Sequence, residues 1–321
     1  MPPSTALLAA LALAACAQQP TAVPPAAPVA AGPAITVDAN PVPLNAADPA
    51  ADRIGDFRYA GGLVLTSTAT ARLHGLSDMA VRNGADLTAV CDEGDLLKAR
   101  LVLDAGGRLI GLTDARLSFL AGEDGKPLPG KLEADSEGLA LMESGDMLVS
   151  FEQRHRIWRY PADGAPPRPA PSPDAAFPPN GGMEALGPDP FVAPDAYMTG
   201  GEESGQVWSC RLSAACTPAG AVAKPSEFGL VALARLSATR TAWLLRAWDP
   251  LRGSRITLTI REGEREVARL DLSRPYTVDN FEALAAVPAA NGTTRFYLLS
   301  DDNFQSSQRT LLLAFDWTPG A

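Results

Sequence analysis

One short motif recurs five times along this chain, and the recurrence limits the fold more than any single residue does. In one-letter code it reads HGLSDMAV (74–81), DSEGLAL (135–141), GGMEALG (181–187), FGLVALA (228–234) and DNFEALA (279–285). Aligned on Asp78, Glu137, Glu184, Val231 and Glu282, the copies are spaced by 59, 47, 47 and 51 residues. Each leads through a short polar or Gly/Pro turn into a second β-rich run that ends in acid: LTAVCDE (87–93), MLVSFE (147–152), YMTGGEE (197–203), AWLLRAWD (242–249) and FYLLSDD (296–302). A third run follows in every unit, at 97–103, 156–160, 206–212, 255–260 and 310–317. Short strands separated by turn signals read as antiparallel meanders, and no long helix is expected between them.

A unit of about 50 residues with up to four strands, repeated radially, has the dimensions of a β-propeller blade. The expected fold is therefore an all-β propeller with five blades. Six is the alternative, because the 59-residue first interval has room for a degenerate unit. The fifth unit supplies only three strands. The run at 57–65, ahead of the first motif, is the expected fourth, an N-terminal strand that closes the last blade and removes an exposed edge. The Pro-rich stretch 165–179 belongs at the outer edge of the second blade or in a loop, since Pro cannot donate to a ladder.

Residues 6–15 are apolar and end in Leu13, Ala14, Ala15 and Cys16. A run of about ten suits the h-region of a signal peptide and is too short to span a bilayer. Small residues directly before Cys16 resemble the lipobox of bacterial lipoproteins, which implies lipidation at Cys16, although the first five residues carry no Lys or Arg. Residues 17–49 are rich in Ala and Pro and nearly uncharged; such a segment reads as a semi-extended tether. The expected organisation is a lipoprotein-type signal at 1–16, a tether at 17–54 and a propeller domain at 55–318. The expected location is the periplasm, on the outer membrane, as a monomer that meets the membrane only through its lipid.

Composition narrows the chemistry. With 27 Lys and Arg against 37 Asp and Glu, the net charge of −10 argues against a sequence-independent grip on nucleic acid. Two histidines, His74 and His155, and no CxxC pair exclude a His-rich zinc centre. Oxygen ligands remain. In a propeller the first strand of each blade lines the axis, so Asp78, Glu137, Glu184 and Glu282 are expected to converge. Antiparallel second strands would add Asp92, Glu152, Glu202, Asp249, Asp301 and Asp302 on the same face. Carboxylates packed so closely repel one another, which raises their pKa values or draws in cations. Hard oxygen donors from several loops suit Ca²⁺. In the alternative, each acid accepts backbone N–H groups from the next blade and is purely structural.

Other chemistries find less support. There is no G-x-S-x-G elbow. His74 lies beside Ser77 and Asp78, the ingredients of a triad, but reads better as packing at the strand entry. Cys210 and Cys216 are expected to form a hairpin disulfide in an oxidising compartment, with Cys91 a buried thiol. The five Trp residues are expected to pack the blades.

The motifs DxEGLA, NxGxEALG and DNxEALA, with the closing SDDNF (300–304) and QRTLLLAF (308–315), resemble the bacterial family called esterase-like activity of phytase. The resemblance runs from about Gly55 to Trp317. It implies a secreted or periplasmic propeller associated with hydrolysis of phosphate or carboxylic esters, and it carries over to Glu137, Glu184, Glu282, Asp301, Asp302 and Asn303. Two positions depart from the pattern, Val231 in the fourth motif and Asp78 in the first. The candidate catalytic residues are Glu137, Glu184 and Glu282. The candidate metal ligands are those three with Asp78, Asp301, Asp302 and Asn303. Arg154, Arg246 and Arg309 flank the strand ends as candidate phosphate clamps. A polyanionic substrate requires bridging cations to approach such acids, so the expected cofactor is Ca²⁺ and the expected substrate a small-molecule ester or phosphoester. The alternatives are a non-catalytic propeller that binds a ligand or protein, and a Ca²⁺-dependent lactonase of propeller type.

Overall fold

The computed structural model describes residues 32–289 and 292–320, and within them the alternating apolar pattern resolves into five antiparallel sheets. Three strands come first: β1 (Asp38–Pro41), β2 (Arg53–Ile54) and β3 (Phe57–Thr66). The first blade is β4 (Leu76–Arg82), β5 (Asp86–Cys91), β6 (Asp95–Leu103) and β7 (Leu109–Phe119). A single helical turn, α1 (Lys131–Ala134), precedes the second blade of β8 (Ser136–Leu141), β9 (Met147–Phe151), β10 (Arg156–Tyr160) and β11 (Arg168–Ala170). The third is β12 (Ala185–Pro188), β13 (Ala196–Gly200), β14 (Gln206–Arg211) and β15 (Ala214–Ala221). The fourth is β16 (Gly229–Arg235), β17 (Arg240–Asp249), β18 (Gly253–Glu262) and β19 (Arg265–Leu272). β20 (Asn280–Pro288), β21 (Thr294–Asp301) and β22 (Leu311–Trp317) begin the fifth.

The inner strands β4, β8, β12, β16 and β20 pack one on the next, and β20 returns to β4. The ring closes at five. The long first interval holds no sixth sheet; it is taken up by the eleven-residue β7 and the connection through α1. The Pro-rich stretch contributes β11, the outer edge strand of the second blade. No described helix is long and apolar enough to cross a membrane.

Closure of the fifth blade joins the two ends of the domain. β22 pairs with β3 from Leu311↔Val64 to Trp317↔Phe57, as the run at 57–65 leads one to expect. Phe57, Tyr59, Leu63 and Leu65 are buried along β3, and the Phe57 ring lies 6.1 Å from Phe296 and 6.5 Å from Trp317. A further strand was not expected. β1 pairs with β3 from Asp38↔Thr66 to Pro41↔Leu63, and Leu44 is fully buried. The expected tether at 17–54 is thus corrected at its C-terminal end. Ile35, Val37 and Ala39 alternate onto the core, while Pro41 and its neighbours are tolerated because β1 is an edge strand. The signal segment 1–16, Cys16 and residues 17–31 lie outside the described residues.

The feature that positions the site is a β-bulge in the inner strands. The pairing register slips between Leu76 and Asp78, Ser136 and Gly138, Leu230 and Ala232, and Phe281 and Ala283. A bulge leaves one residue unpaired and re-aims its side chain. Those residues are Ser77, Glu137, Val231 and Glu282, and Glu184 holds the matching place just before β12. The register therefore corrects the alignment of the first repeat: Ser77, not Asp78, stands where the others carry Glu137, Glu184 and Glu282. A one-residue offset is decisive in a strand, because it turns a side chain to the other face. Gly138 follows Glu137 for a steric reason. A Cβ there would run into the Glu184 carbonyl, the Ser150 hydroxyl and Leu186 of the next blade.

Cys210 and Cys216 form a disulfide across the β14–β15 hairpin, with Cα atoms 4.0 Å apart, and Cys91 is a buried free thiol. Trp208, Trp243 and Trp317 are buried in the blades. Trp248 departs from the expectation, with 62% of its surface exposed.

Candidate functional site

The bulged inner strands place Glu137, Glu184 and Glu282 at one end of the axis, and the second strands of the blades deliver another ring beside them. Counting from each bulge, the equivalent positions at the ends of β5, β9, β13, β17 and β21 are Asp92, Glu152, Glu202, Arg246 and Asp301. Four are acids and the fourth blade carries a cation. Asp249, expected in this ring, sits three residues further out. It holds the β17–β18 turn by accepting from the Leu251 and Arg252 backbone N–H groups and pairing with the Arg252 side chain.

Arg246 is the hub of one half of the site. Its Nη2 lies 3.0 Å from Glu202 Oε1, and its Nη1 meets Glu282 and lies 3.0 Å from Asn280 Oδ1. Asn280 Nδ2 in turn donates to Glu282 at 2.9 Å. Both ends of the guanidinium are thus held by groups of this chain, which corrects the reading of Arg246 as a phosphate clamp. In the other half, Asp135, Glu137 and Glu152 bring carboxylate oxygens within 4.8 Å of one another. Asp135 is not among the residues that the strand-end pattern singles out, because it precedes the strand; the acidic pair flanking Ser136 is the signal that marks it. Glu152 Oε1 accepts from the Gly182 backbone N–H and, at 2.6 Å, from that of Gly181. Lys131 of α1 reaches over this half, with Nζ 2.7 Å from Asp92 and 3.2 Å from Asp135.

Eight carboxylates (Asp92, Asp135, Glu137, Glu152, Glu184, Glu202, Glu282 and Asp301) thus share one face with two cations, Arg246 and Lys131. The excess of negative charge shows in the acidities. Burial, then the charges of Glu184, Asp135, Glu152 and Asp92, pushes Glu137 well above the ordinary carboxylate range. Glu184 is raised likewise by burial and Glu202, with Arg246 opposing. Asp301 is pushed up to about 7 by burial and by Asp92. Burial takes Asp92 to about 6 even though Lys131 pulls it down. These mutual influences run around the axis, so acids far apart in sequence do meet here.

The remaining candidates fall elsewhere. Asp78 is buried and bridges blades, accepting from Leu139 N at 2.7 Å and Met79 N at 2.8 Å. Burial raises its pKa despite those bonds. It is the structural acid that the alternative reading described, and it is not a ligand. Ser77 Oγ donates to the Ser136 carbonyl at 2.6 Å, so Ser77, His74 and Asp78 form no triad. His74 instead meets the edge of Phe304, with ring centroids 3.9 Å apart. Asp302 accepts from Gly75 N at 3.1 Å, Phe304 N at 3.2 Å and Thr310 Oγ1 at 2.9 Å, which makes it a loop fastener. Asn303 is exposed, and its backbone N–H donates to Asp301 at 2.7 Å. Arg154 is exposed and pairs with Glu133 of α1. Arg309 pairs with Asp279 at 3.2 Å on the rim.

The hydrogen bonding of the donor set bears on whether it fits a divalent cation. No described residue donates to the Glu137 carboxylate, and Asp135 Oδ1 is buried with only the Lys131 charge nearby. Glu152, the third member, is held at Oε1 by the Gly181 and Gly182 N–H groups, so an undonated Glu137 carboxylate converges with two positioned carboxylates, an all-oxygen set that suits a hard cation, whose remaining positions water or substrate would fill.

The family model of phytase-like proteins, described as esterase-like activity of phytase, matches residues 71–304. No curated protein matches the chain. Among solved structures, a protein given the provisional name gluconolactonase is 12% identical, covering 92% of this chain and 94% of that one, with a TM-score of 0.45. The major allergen Mala s 1 of Malassezia sympodialis is 14% identical over 83% of this chain and 91% of its own, with a TM-score of 0.42. Virginiamycin B lyase from Staphylococcus aureus is 10% identical over 87% and 99%, with a TM-score of 0.41. Against an extracellular domain from B. thetaiotaomicron, the chain spans 31% of the other's length at 11% identity, with a TM-score of 0.40.

Proposed function

The chain belongs to the phytase-like family described as esterase-like activity of phytase, and from that premise we propose that it is a metal-assisted hydrolase of phosphate or carboxylic esters, working at the acidic end of the propeller axis. The observation that carries the reading is the approach of Asp135, Glu137 and Glu152 to within 4.8 Å. These three would hold Ca²⁺ or a similar hard cation. When bound, such an ion polarises an ester or phosphoryl oxygen and lowers the pKa of a bound water. The chain's own groups do the rest. Glu184, whose pKa burial and Glu202 raise, holds its proton to higher pH than an ordinary glutamate and can pass it to a leaving oxygen. The backbone N–H groups of Gly181 and Gly182 fix Glu152, and Arg246 and Asn280 fix Glu282.

The test is turnover of a chromogenic phosphomonoester, a chromogenic acetate and phytate, each with Ca²⁺ and with chelator. Activity on at least one substrate is expected, with loss of about 100-fold or more in chelator and in Glu137→Gln. Activity indifferent to both would sink the reading. The second reading, a non-catalytic binding propeller, draws support from Arg246 and Lys131, which neutralise part of the acidic face with the chain's own charges. Calcium binding without turnover of any of the three substrates would favour it.

We also propose that the protein resides in the periplasm as a monomer, lipidated at Cys16. The run ending at Cys16 supports this, and so does the Cys210–Cys216 disulfide, since such bonds persist in oxidising compartments. Cys16→Ser should shift the protein from the membrane fraction to the soluble one; unchanged fractionation would exclude the anchor.

A further inference from the structure

A groove of about 720 Å³ opens between the fourth and fifth blades, on the same face as the acidic centre and in the size range of small-ligand pockets. Its inner end is Asn280, whose amide touches both Arg246 and Glu282. Its outer reaches hold Trp248, Arg274 and Arg309. The hydrolase reading above uses none of these three side chains, although the sequence offers Arg309 as a candidate phosphate clamp.

Their chemistry is unlike the rest of the surface. Trp248 is the one exposed indole among the buried or half-buried tryptophans, and an exposed ring beside polar groups offers an apolar plate with a wet edge. Arg274 is exposed and has no carboxylate partner among the described residues. Its guanidinium lies along the β17–β18 turn at Gly253, where φ is +73° and an added Cβ would sit 3.4 Å from Arg274 Cζ. Arg309 is aimed by Asp279 and by the Val278 carbonyl. Ser254, Ser307 and Gln308 complete the wall, and the Gln308 side-chain oxygen accepts from no described residue. In a chain of net charge −10, a groove with two guanidinium groups and only one carboxylate is a local site for anions.

We infer that this groove is a binding subsite for an anionic sugar, one that bears a carboxylate or a phosphate. The C–H face of a pyranose ring matches the Trp248 plate, its hydroxyls match the serines and amides, and its anionic group matches the Arg274 and Arg309 forks. A ligand seated there extends toward Asn280, and so toward Glu282 and the axial acids. That its far end is the bond to be broken rests on the hydrolase reading; the binding itself does not.

The experiment is a tryptophan-fluorescence titration of the full chain with glucuronate, glucose 6-phosphate and neutral glucose. At least one anionic sugar saturates and shifts the emission, and the tighter of the two identifies the anion. Glucose binds about tenfold more weakly or less, Arg274→Gln lowers anion affinity about tenfold without affecting glucose, and Trp248→Phe removes the emission change. Failure of both anions to saturate by about 10 mM would overturn the inference. So would glucose binding as tightly as the anions, or an Arg274→Gln variant that binds them normally. Glu137→Gln separates the two proposals: it should abolish turnover and leave sugar binding intact. Binding without turnover retires the hydrolase and keeps the groove, whereas turnover with a KM untouched by Arg274→Gln does the reverse.

Discussion

Arg246→Met lowers the stability of the domain by about 3–5 kcal/mol, the usual consequence of removing one partner from a buried ion pair. The methionine fills much of the same space, so the loss is electrostatic. It strands Glu202 and Glu282, both mostly buried, next to Glu184 and Asp301, whose pKa values Arg246 pulls down. For a domain of this size the melting temperature should drop by roughly 10 °C at neutral pH. The drop should shrink in mild acid, where the stranded carboxylates take up protons. Adding Glu282→Gln to Arg246→Met should recover part of the loss, because it removes one of the unpaired charges. Equal melting of wild type and Arg246→Met at both pH values would show that the hub carries no such role.

The second large effect is a reversed dependence on pH. Most acids in folded proteins are stabilised as carboxylates, so proteins lose stability as pH falls. Here Asp92 at about 6, Asp301 at about 7, and Glu137 and Glu184 higher than usual all bind protons more tightly in the folded chain than in the unfolded one. Their contribution is complete below about pH 4 and is lost as pH rises through about 6 and then 7. In chelator, the melting temperature should therefore fall between about pH 5 and pH 8, by an amount corresponding to several kcal/mol. Under the metal proposal, millimolar Ca²⁺ removes most of that fall by supplying the positive charge that the protons supply in acid. Asp301→Asn should flatten the profile in chelator, and Glu137→Gln should weaken the rescue by Ca²⁺. A metal-free profile that is level or rises across this range would contradict the raised pKa values. A falling profile that Ca²⁺ leaves unchanged would contradict only the metal.

The repeat made most of the architecture legible, because five copies at near-constant spacing, each trailing two more β-rich runs, have few solutions other than radial sheets. Convergence of Glu137, Glu184 and Glu282 followed from the same geometry. Three details were hidden for physical reasons. The bulge is a fact of pairing, not of composition, so nothing in SDMA against EGLA reveals that Ser77 and not Asp78 faces with Glu137. At the end of β17 an acid, Asp249, is present in sequence, yet the register stops three residues short of it at Arg246. The stretch before β3 looked like a tether because Pro and Ala dominate it, but Ile35, Val37 and Leu44 are enough to seat an edge strand once β3 offers a free ladder. Lys131 was invisible for a different cause: it comes from a connection outside the repeat, and only the fold brings it over Asp92.

The seam between β3 and β22 also dictates the order in which the domain can be made. The strand from Phe57 to Thr66 leaves the ribosome, and crosses any membrane, before the first four blades, yet its partner from Leu311 to Trp317 arrives last. Through all of the intervening synthesis its only ladders are the short β1 and β2, and the edge that β22 will cover stays open, so that strand is the segment a chaperone would have to shield, and a nascent chain stopped short of Leu311 remains an open crescent with an unsatisfied rim.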